Sequence, residues 1–174
     1  MNGIQQTTKQ AGKFVLVGVL NTLIDVIILN AFVFLGLTAA FILLGQKFLI
    51  ANIISVFVAM LNSFILNKLW TFESKEGNLY QQILSFFVIT VIGMFVIHQI
   101  IFNSLYFGFE AISSFVVSVV HLVGLSRIFS DAFVTLNFAK GAAIIVSLIW
   151  NFLGYKFIVF KPLSEPKSYP QAGA

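Results

Sequence analysis

Long apolar runs separated by short polar segments dominate the hydropathy pattern of this chain. A helix needs roughly 20 residues to cross a hydrocarbon core of about 30 Å. Four runs meet this requirement, and the predicted spans cover residues 14–37, 48–66, 83–107 and 133–157. The pattern therefore predicts an all-α integral membrane protein with four transmembrane helices.

The segment between the third and fourth spans, residues 108–132, has an apolar core that is too short to cross a membrane. At helical spacing its apolar and polar residues fall on different faces. The apolar face holds Phe109, Ile112, Val116, Val119 and Val123, and the polar face holds Glu110, Ser114, Ser118 and His121. We expect this insert to form an external amphipathic helix at the membrane surface.

The two ends of the chain are polar. Residues 1–12 are expected to form a cytoplasmic N-terminal segment, because the apolar run that follows is too long for a cleavable signal peptide. Residues 162–174 contain three prolines and are expected to be a disordered cytoplasmic tail. Four spans leave both ends on one side, together with most of the cations: Lys9, Lys13, Lys68, Lys75, Lys156, Lys161 and Lys167. The positive-inside rule then predicts a protein of the cell membrane with both termini in the cytoplasm.

Composition excludes several classes of protein. Of the residues, 59% are hydrophobic and 9% are charged, whereas soluble domains carry roughly 25% charged residues. The chain has no cysteine, two histidines without metal-binding spacing, and no motif of nucleotide-binding proteins or serine hydrolases. We therefore expect no metal, no cofactor and no enzymatic activity. The net charge of +4 comes from lysines beside apolar segments, which favours anionic membrane lipids over nucleic acid as the partner.

A nine-residue pattern occurs twice. Residues 64–72 and 152–160 share the frame F-x-x-x-K-x-x-x-F, with a shift of 88 residues, at the ends of the second and fourth spans. We call these segments the first and second frames. The repeat predicts two duplicated helical hairpins that enter the membrane in the same sense.

Each frame carries a lysine at the predicted cytoplasmic end of its span, Lys68 or Lys156. Such lysines bind lipid phosphate as compact point charges, or they merely extend their ammonium groups from the helix end towards water. Lys140, near the external end of the fourth span, is a third phosphate candidate with the same alternative. The aromatic residues predicted at the membrane interface are Trp70, Phe72 and Phe160.

Polar side chains inside the predicted spans are the second set of candidates. Asn21 and Asp25 share one face of the first span, and the second span carries a row of small and polar residues. These residues form either a path for a polar ligand or hydrogen bonds between helices. The predicted polar groove contains Asn21, Asp25, Asn52, Asn62, Asn67, Asn151 and Tyr155.

Three segments, residues 13–22, 64–72 and 150–160, resemble the GtrA-like family of small membrane proteins. The resemblance implies four helices in two hairpins and a role in cell-surface polysaccharide synthesis, as flippases of polyprenyl-phosphate-linked monosaccharides. A similar domain is attached to some polyprenyl-phosphate mannose synthases. The chain departs from the family at Ser63, where asparagine is frequent, and in the length of its insert.

Three functions remain open at this point. The first is translocation of a polyprenyl-phosphate-linked monosaccharide, and the alternative is a membrane anchor or activating partner of a polyprenyl-phosphate glycosyltransferase. A small multidrug-type exporter ranks last, because the repeated lysines suit an anionic ligand. The expected partners are the sugar lipid, membrane lipids and membrane glycosyltransferases, and a homo-oligomer stays open.

Overall fold

The computed structural model describes residues 3–43 and 46–161, which form two compact units. The first unit extends to Asn78 and also includes Phe160. Its elements are α1 (Gly3–Phe34), the antiparallel strands β1 (Ala40–Leu43) and β2 (Gln46–Leu49), α2 (Ile50–Leu66) and a π-helical turn (Asn67–Thr71). The predicted tail, residues 162–174, lies outside the described residues.

The second unit is Leu79–Val159. Its first long helix alternates between α and π geometry, and it is followed by the insert and a second long helix. The elements are α3 (Leu79–Val91), π (Ile92–Ile97), α4 (His98–Asn103), π (Ser104–Gly108), α5 (Glu110–Leu122), a 3₁₀ turn (Leu125–Arg127), α6 (Asp131–Gly154) and π (Tyr155–Val159).

Four helices among the described residues are long and apolar enough to span a membrane: Gly3–Phe34, Ile50–Thr71, Leu79–Gly108 and Asp131–Val159. The prediction of an all-α, multi-pass membrane protein is confirmed. The first helix begins eleven residues before the predicted span. A span predicted from hydropathy begins where the polar residues stop. Glutamine and lysine are nevertheless good helix formers, so residues 3–13 extend the helix beyond the predicted span.

The first hairpin contains a feature that the hydropathy pattern does not predict. Strands β1 and β2 pair in antiparallel register between α1 and α2, with Phe41 opposite Phe48 and their rings stacked at 5.6 Å. Each strand has four residues, which is too short for alternating hydropathy to stand out beside a transmembrane run.

Small residues form the packing face of α2 against α1. Ala51, Ser55 and Ala59 recur every four residues, and all three are buried. Val17 and Phe14 are the buried residues of α1. Within lipid, helices associate through close packing and hydrogen bonds rather than through hydrophobicity, so a row of small residues stabilises the pair.

The second unit repeats this packing pattern. The buried residues Ala139, Ala143 and Ser147 of α6 lie 88 positions after the small residues of α2. In α3, Phe86 and Ile89 are buried 72 positions after Phe14 and Val17. The burial pattern thus follows the duplication of the hairpins. The shift is larger for the second helix because the second hairpin has more residues between its two long helices, including α5.

The insert forms a helix, α5, whose 13 residues are too few to cross a membrane. Its buried residue is Ser113, which donates a hydrogen bond to the carbonyl of Leu105 at 3.0 Å. Phe115, Val119 and Leu122 are exposed. These outward apolar side chains suit a helix lying in lipid headgroups, while its position outside the cell stays a prediction.

Candidate functional site

Both frames change from α to π geometry at the same position. The change begins at Asn67 in the first frame and at Tyr155 in the second, 88 residues apart. In a π-helix the amide bonds back five residues, as Phe72 does to Asn67 at 2.9 Å. In each frame this geometry buries the first π residue and leaves the following lysine, Lys68 or Lys156, half-buried. π-Helical turns of this kind are frequent at functional sites.

Asn67 is the polar centre of the first frame, with 0% of its surface exposed. Its side-chain amide donates to the carbonyl and hydroxyl oxygens of Ser63, at 2.8 and 3.2 Å. The Oδ1 atom is buried and has no partner among the described residues. A buried acceptor without a partner is costly, so this oxygen is a candidate for a hydroxyl or water ligand.

The second frame is organised by Tyr155. Its hydroxyl lies 2.6 Å from the hydroxyl of Thr90, and its ring stacks on Phe86 at 4.4 Å. The next residue, Lys156, places its ammonium group 5.9 Å from the ring centre of Phe152 and 5.7 Å from that of Phe157. Aromatic faces attract a cation and hold this one near the helix.

The three predicted interface aromatics have different surroundings. Trp70 is exposed and Phe72 is partly buried, whereas Phe160 is buried. The ring of Phe160 packs 5.3 Å from Phe72 and 5.8 Å from Phe64. The last aromatic of the second frame therefore closes the core of the first unit.

The polar residues of α1 and α2 meet in two hydrogen-bonded pairs, which we call the polar ladder. Asn62 donates from Nδ2 to Oδ1 of Asn21 at 2.7 Å, and Ser55 donates to Oδ1 of Asp25 at 2.6 Å. The side chain of Asn52 is exposed instead. Both rungs match the interhelical alternative considered above.

Asn151 and Lys140 occupy different parts of α6. The Oδ1 atom of Asn151 is buried without a partner among the described residues. The backbone of Gly93 comes so close that a Cβ atom there would lie 2.5 Å from this oxygen. Lys140 is exposed and lies about 24 Å along the helix from Lys156. A single phosphate cannot contact both of these lysines at once.

Lys13, which the sequence indicated only as a topological charge, makes three close contacts in the first unit. Its Nζ atom donates to the carbonyl of Trp70 and to Oε1 of Glu73, both at 2.7 Å, and lies 5.5 Å from the indole centre. The Lys13 side chain is 14% exposed and that of Glu73 is 65% exposed.

Glu73 reaches Lys13 through an unusual backbone conformation. Its φ angle is 52°, in the left-handed region that residues other than glycine seldom adopt. The hydrogen bond and the positive charge of Lys13 lower the pKa of the Glu73 carboxyl. The two residues are 60 positions apart, so the pair cannot be predicted from a local sequence spacing. The available signals were the location of Lys13 at the start of a family-like segment and of Glu73 directly after the first frame.

Comparison with known protein families gives a match over most of the chain. A family model described as "GtrA/DPMS, transmembrane domain" matches residues 13–160. No curated protein matches the chain. The matched region contains both frames, the polar ladder and Lys13, and it covers most of the sequence. The chain belongs to the GtrA/DPMS transmembrane-domain family.

Proposed function

We propose that this protein translocates a polyprenyl-phosphate-linked monosaccharide across the cell membrane for cell-surface polysaccharide synthesis. Family membership connects it with membrane proteins of polyprenyl-phosphate-sugar metabolism. The observation that carries the proposal is the duplicated frame. In each copy a half-buried lysine follows a buried polar residue on a π-helical turn, at the end of a membrane-spanning helix.

The chemistry of the substrate explains why such a frame is useful. The polyprenyl tail is at home in lipid, whereas the sugar and the phosphate are costly to move through hydrocarbon. A cation at headgroup depth compensates the phosphate charge, and lysine does so without demanding a fixed geometry. Lys68 and Lys156 supply one such cation in each unit, and Lys140 supplies a third near the opposite end of its helix.

Sugar hydroxyls need hydrogen-bond partners on the way. The Oδ1 atoms of Asn67 and Asn151 have no partner within residues 3–43 and 46–161, and these buried acceptors can be satisfied by a hydroxyl. The polar ladder offers further donors and acceptors if its rungs open during transport. In this account the protein has no bound cofactor, and consumption of the sugar outside the cell maintains the gradient that drives flow.

A second function is favoured by one observation. In both rungs of the polar ladder, the side chain on α1 already accepts a hydrogen bond from a partner on α2. Such pairs stabilise helix packing without any ligand. A protein whose polar residues serve only packing would act as a membrane anchor or activator of a polyprenyl-phosphate glycosyltransferase, which is also the expected partner of a flippase.

Reconstitution separates the two functions. Purified protein is placed alone in liposomes, and uptake of short-chain, water-soluble polyprenyl-phosphate hexoses is compared with uptake by protein-free liposomes. Translocation predicts faster uptake of at least one hexose without any other protein. An anchor predicts no uptake, together with stimulation of a co-reconstituted glycosyltransferase.

A further inference from the structure

A polar cavity of about 500 Å³ lies at one end of the first unit. We call it the Lys13 pocket. Its walls are formed by residues from the first turns of α1, from the end of the first frame and from the position directly after the frame: Gln6, Lys9, Gln10, Lys13, Thr71, Phe72 and Glu73. None of these residues except Phe72 was among the candidates predicted from the sequence.

Two polar residues in the walls of the pocket have a buried oxygen without a hydrogen-bond partner in the part of the chain that the structure describes. Thr71 is 1% exposed, and its hydroxyl oxygen has no hydrogen-bond partner among the described residues. The buried Oε1 atom of Gln10 is in the same situation. A hydroxyl both donates and accepts, and a glutamine amide presents a donor after a simple flip of its end group. Both oxygens are covered in this structure, so each side chain donates to a ligand rich in acceptors after it turns towards the pocket.

The charges select the ligand. Lys9 and Lys13 line the pocket together with one carboxylate, that of Glu73, so the walls carry a surplus of one positive charge. Lys13 is mostly buried, while its carboxylate partner is largely exposed and held by a left-handed backbone. An exposed carboxylate can leave its cation at little cost, because water solvates it well. The carboxylate of Glu73 thus occupies a position on Lys13 from which an anion of higher charge can displace it.

We infer that the Lys13 pocket binds a phosphate group, which displaces Glu73 from Lys13 and accepts hydrogen bonds from Lys9, Lys13 and Thr71. The three terminal oxygens of a phosphate monoester match the number of these donors, and a monoester carries more charge than a carboxylate. The exposed ring of Trp70 next to Lys13 is typical of headgroup depth. The place of this pocket in transport rests on the proposed function. The sugar-linked phosphate is a diester with a single charge, so the pocket serves as a docking position, separate from the frame lysines, for the phosphate monoester that the lipid carrier bears once its sugar has been removed.

Trp70 reports on the pocket directly, because Lys13 lies over its ring. The chain has two tryptophans, so Trp150→Phe leaves Trp70 as the sole indole. In detergent, the fluorescence of Trp70 in this variant is followed during titration with a soluble short-chain phosphatidic acid, with inorganic phosphate, and with short-chain phosphatidylcholine at equal ionic strength. Since Trp150 also donates to Ile89, the same titrations are followed by the Tm of the chain that keeps both tryptophans.

Binding of phosphatidic acid should be seen in both readouts. Lys13→Gln should weaken it about tenfold or more, since a charge-assisted hydrogen bond is lost. Glu73→Gln should tighten it about threefold, since the competing anion is removed. Glu76→Gln, a nearby carboxylate that does not line the pocket, is the matched control and should leave the affinity unchanged.

The lipid and the free ion are distinguished by the two phosphate arms. Binding of inorganic phosphate with the same dependence on Lys13 supports a site for phosphate from either source, and binding of phosphatidic acid alone supports a headgroup site. The inference is overturned if neither binds, if Lys13→Gln has no effect, or if Glu73→Gln weakens binding. If liposomes with the wild-type protein take up the sugar lipid but no phosphate binds at Lys13, only this inference is rejected. If phosphate binds at Lys13 but the liposomes take up no sugar lipid, only the proposed translocation is rejected.

Discussion

At the scale of single residues, a few polar contacts hold the first unit together. Lys13 and Glu73 form an ion pair beside Trp70, and two rungs of hydrogen bonds join α1 to α2. Each contact is local enough to be removed by one substitution.

The Lys13–Glu73 pair should respond to acid. Lys13 lowers the pKa of Glu73 below its ordinary value of 4.5, so folding stabilises the ionised carboxylate. The contribution is complete above pH 4.5 and is lost as the pH falls through the lowered pKa. Thermal unfolding of wild type and Glu73→Gln in detergent should therefore differ at pH 7 and converge at lower pH. A difference that grows on acidification would contradict the pair.

The Asn21–Asn62 rung should behave as an energetic couple. In a double-mutant cycle with alanine at both positions, we expect a coupling of about 0.6 kcal/mol, with an upper value of about 1.7 kcal/mol. Among the described residues, the side chain of Thr22 bonds to the carbonyl of Gly18 in its own helix, so a cycle of Asn62 with Thr22 is the control and should give about zero. Equal couplings in the two cycles would mean that the rung does not join the helices.

At the scale of elements, the sequence predicted the helices well and their geometry less well. Four apolar runs gave four helices, because a run of that length has no other stable form in lipid. The repeated frame predicted the duplication of the hairpins, and the buried small residues of α2 and α6 follow the same repeat. The π-helical turns were not predictable, since one extra residue in a turn changes neither composition nor hydropathy. The Lys13–Glu73 pair was missed because it joins residues that are close only after folding.

Close packing of α6 on α3 should make Gly154 intolerant of a side chain. A Cβ atom there would lie 2.6 Å from Cγ2 of Ile89, so Gly154→Ala should destabilise the protein by roughly 1–3 kcal/mol. Gly141 lies in the same helix, and a Cβ atom added to it would meet no neighbour within 4 Å, so Gly141→Ala should be neutral or slightly stabilising. Unfolding in detergent compares the two, and equal stabilities would mean that the close approach is absent.

At the scale of the whole molecule, topology is the first consequence. The chain has no cysteine, so single introduced cysteines report sidedness without background. With both termini in the cytoplasm, Thr38→Cys and Ser126→Cys should react with a membrane-impermeant maleimide in intact cells, and Ala174→Cys only after permeabilisation. Labelling of Ala174→Cys in intact cells would overturn the proposed orientation.

The most direct test of the central claim is the uptake rate of short-chain polyprenyl-phosphate hexoses by liposomes that contain the purified protein and its frame variants. Wild type alone should accelerate uptake, and Lys68→Ala or Lys156→Ala should each slow it about tenfold, because a charge-assisted contact with phosphate is lost. Arginine at either position should retain part of the rate, and Lys161→Ala, an exposed lysine outside both frames, should retain all of it. Wild-type rates in both alanine variants, or no uptake by wild type, would contradict translocation through the duplicated frame.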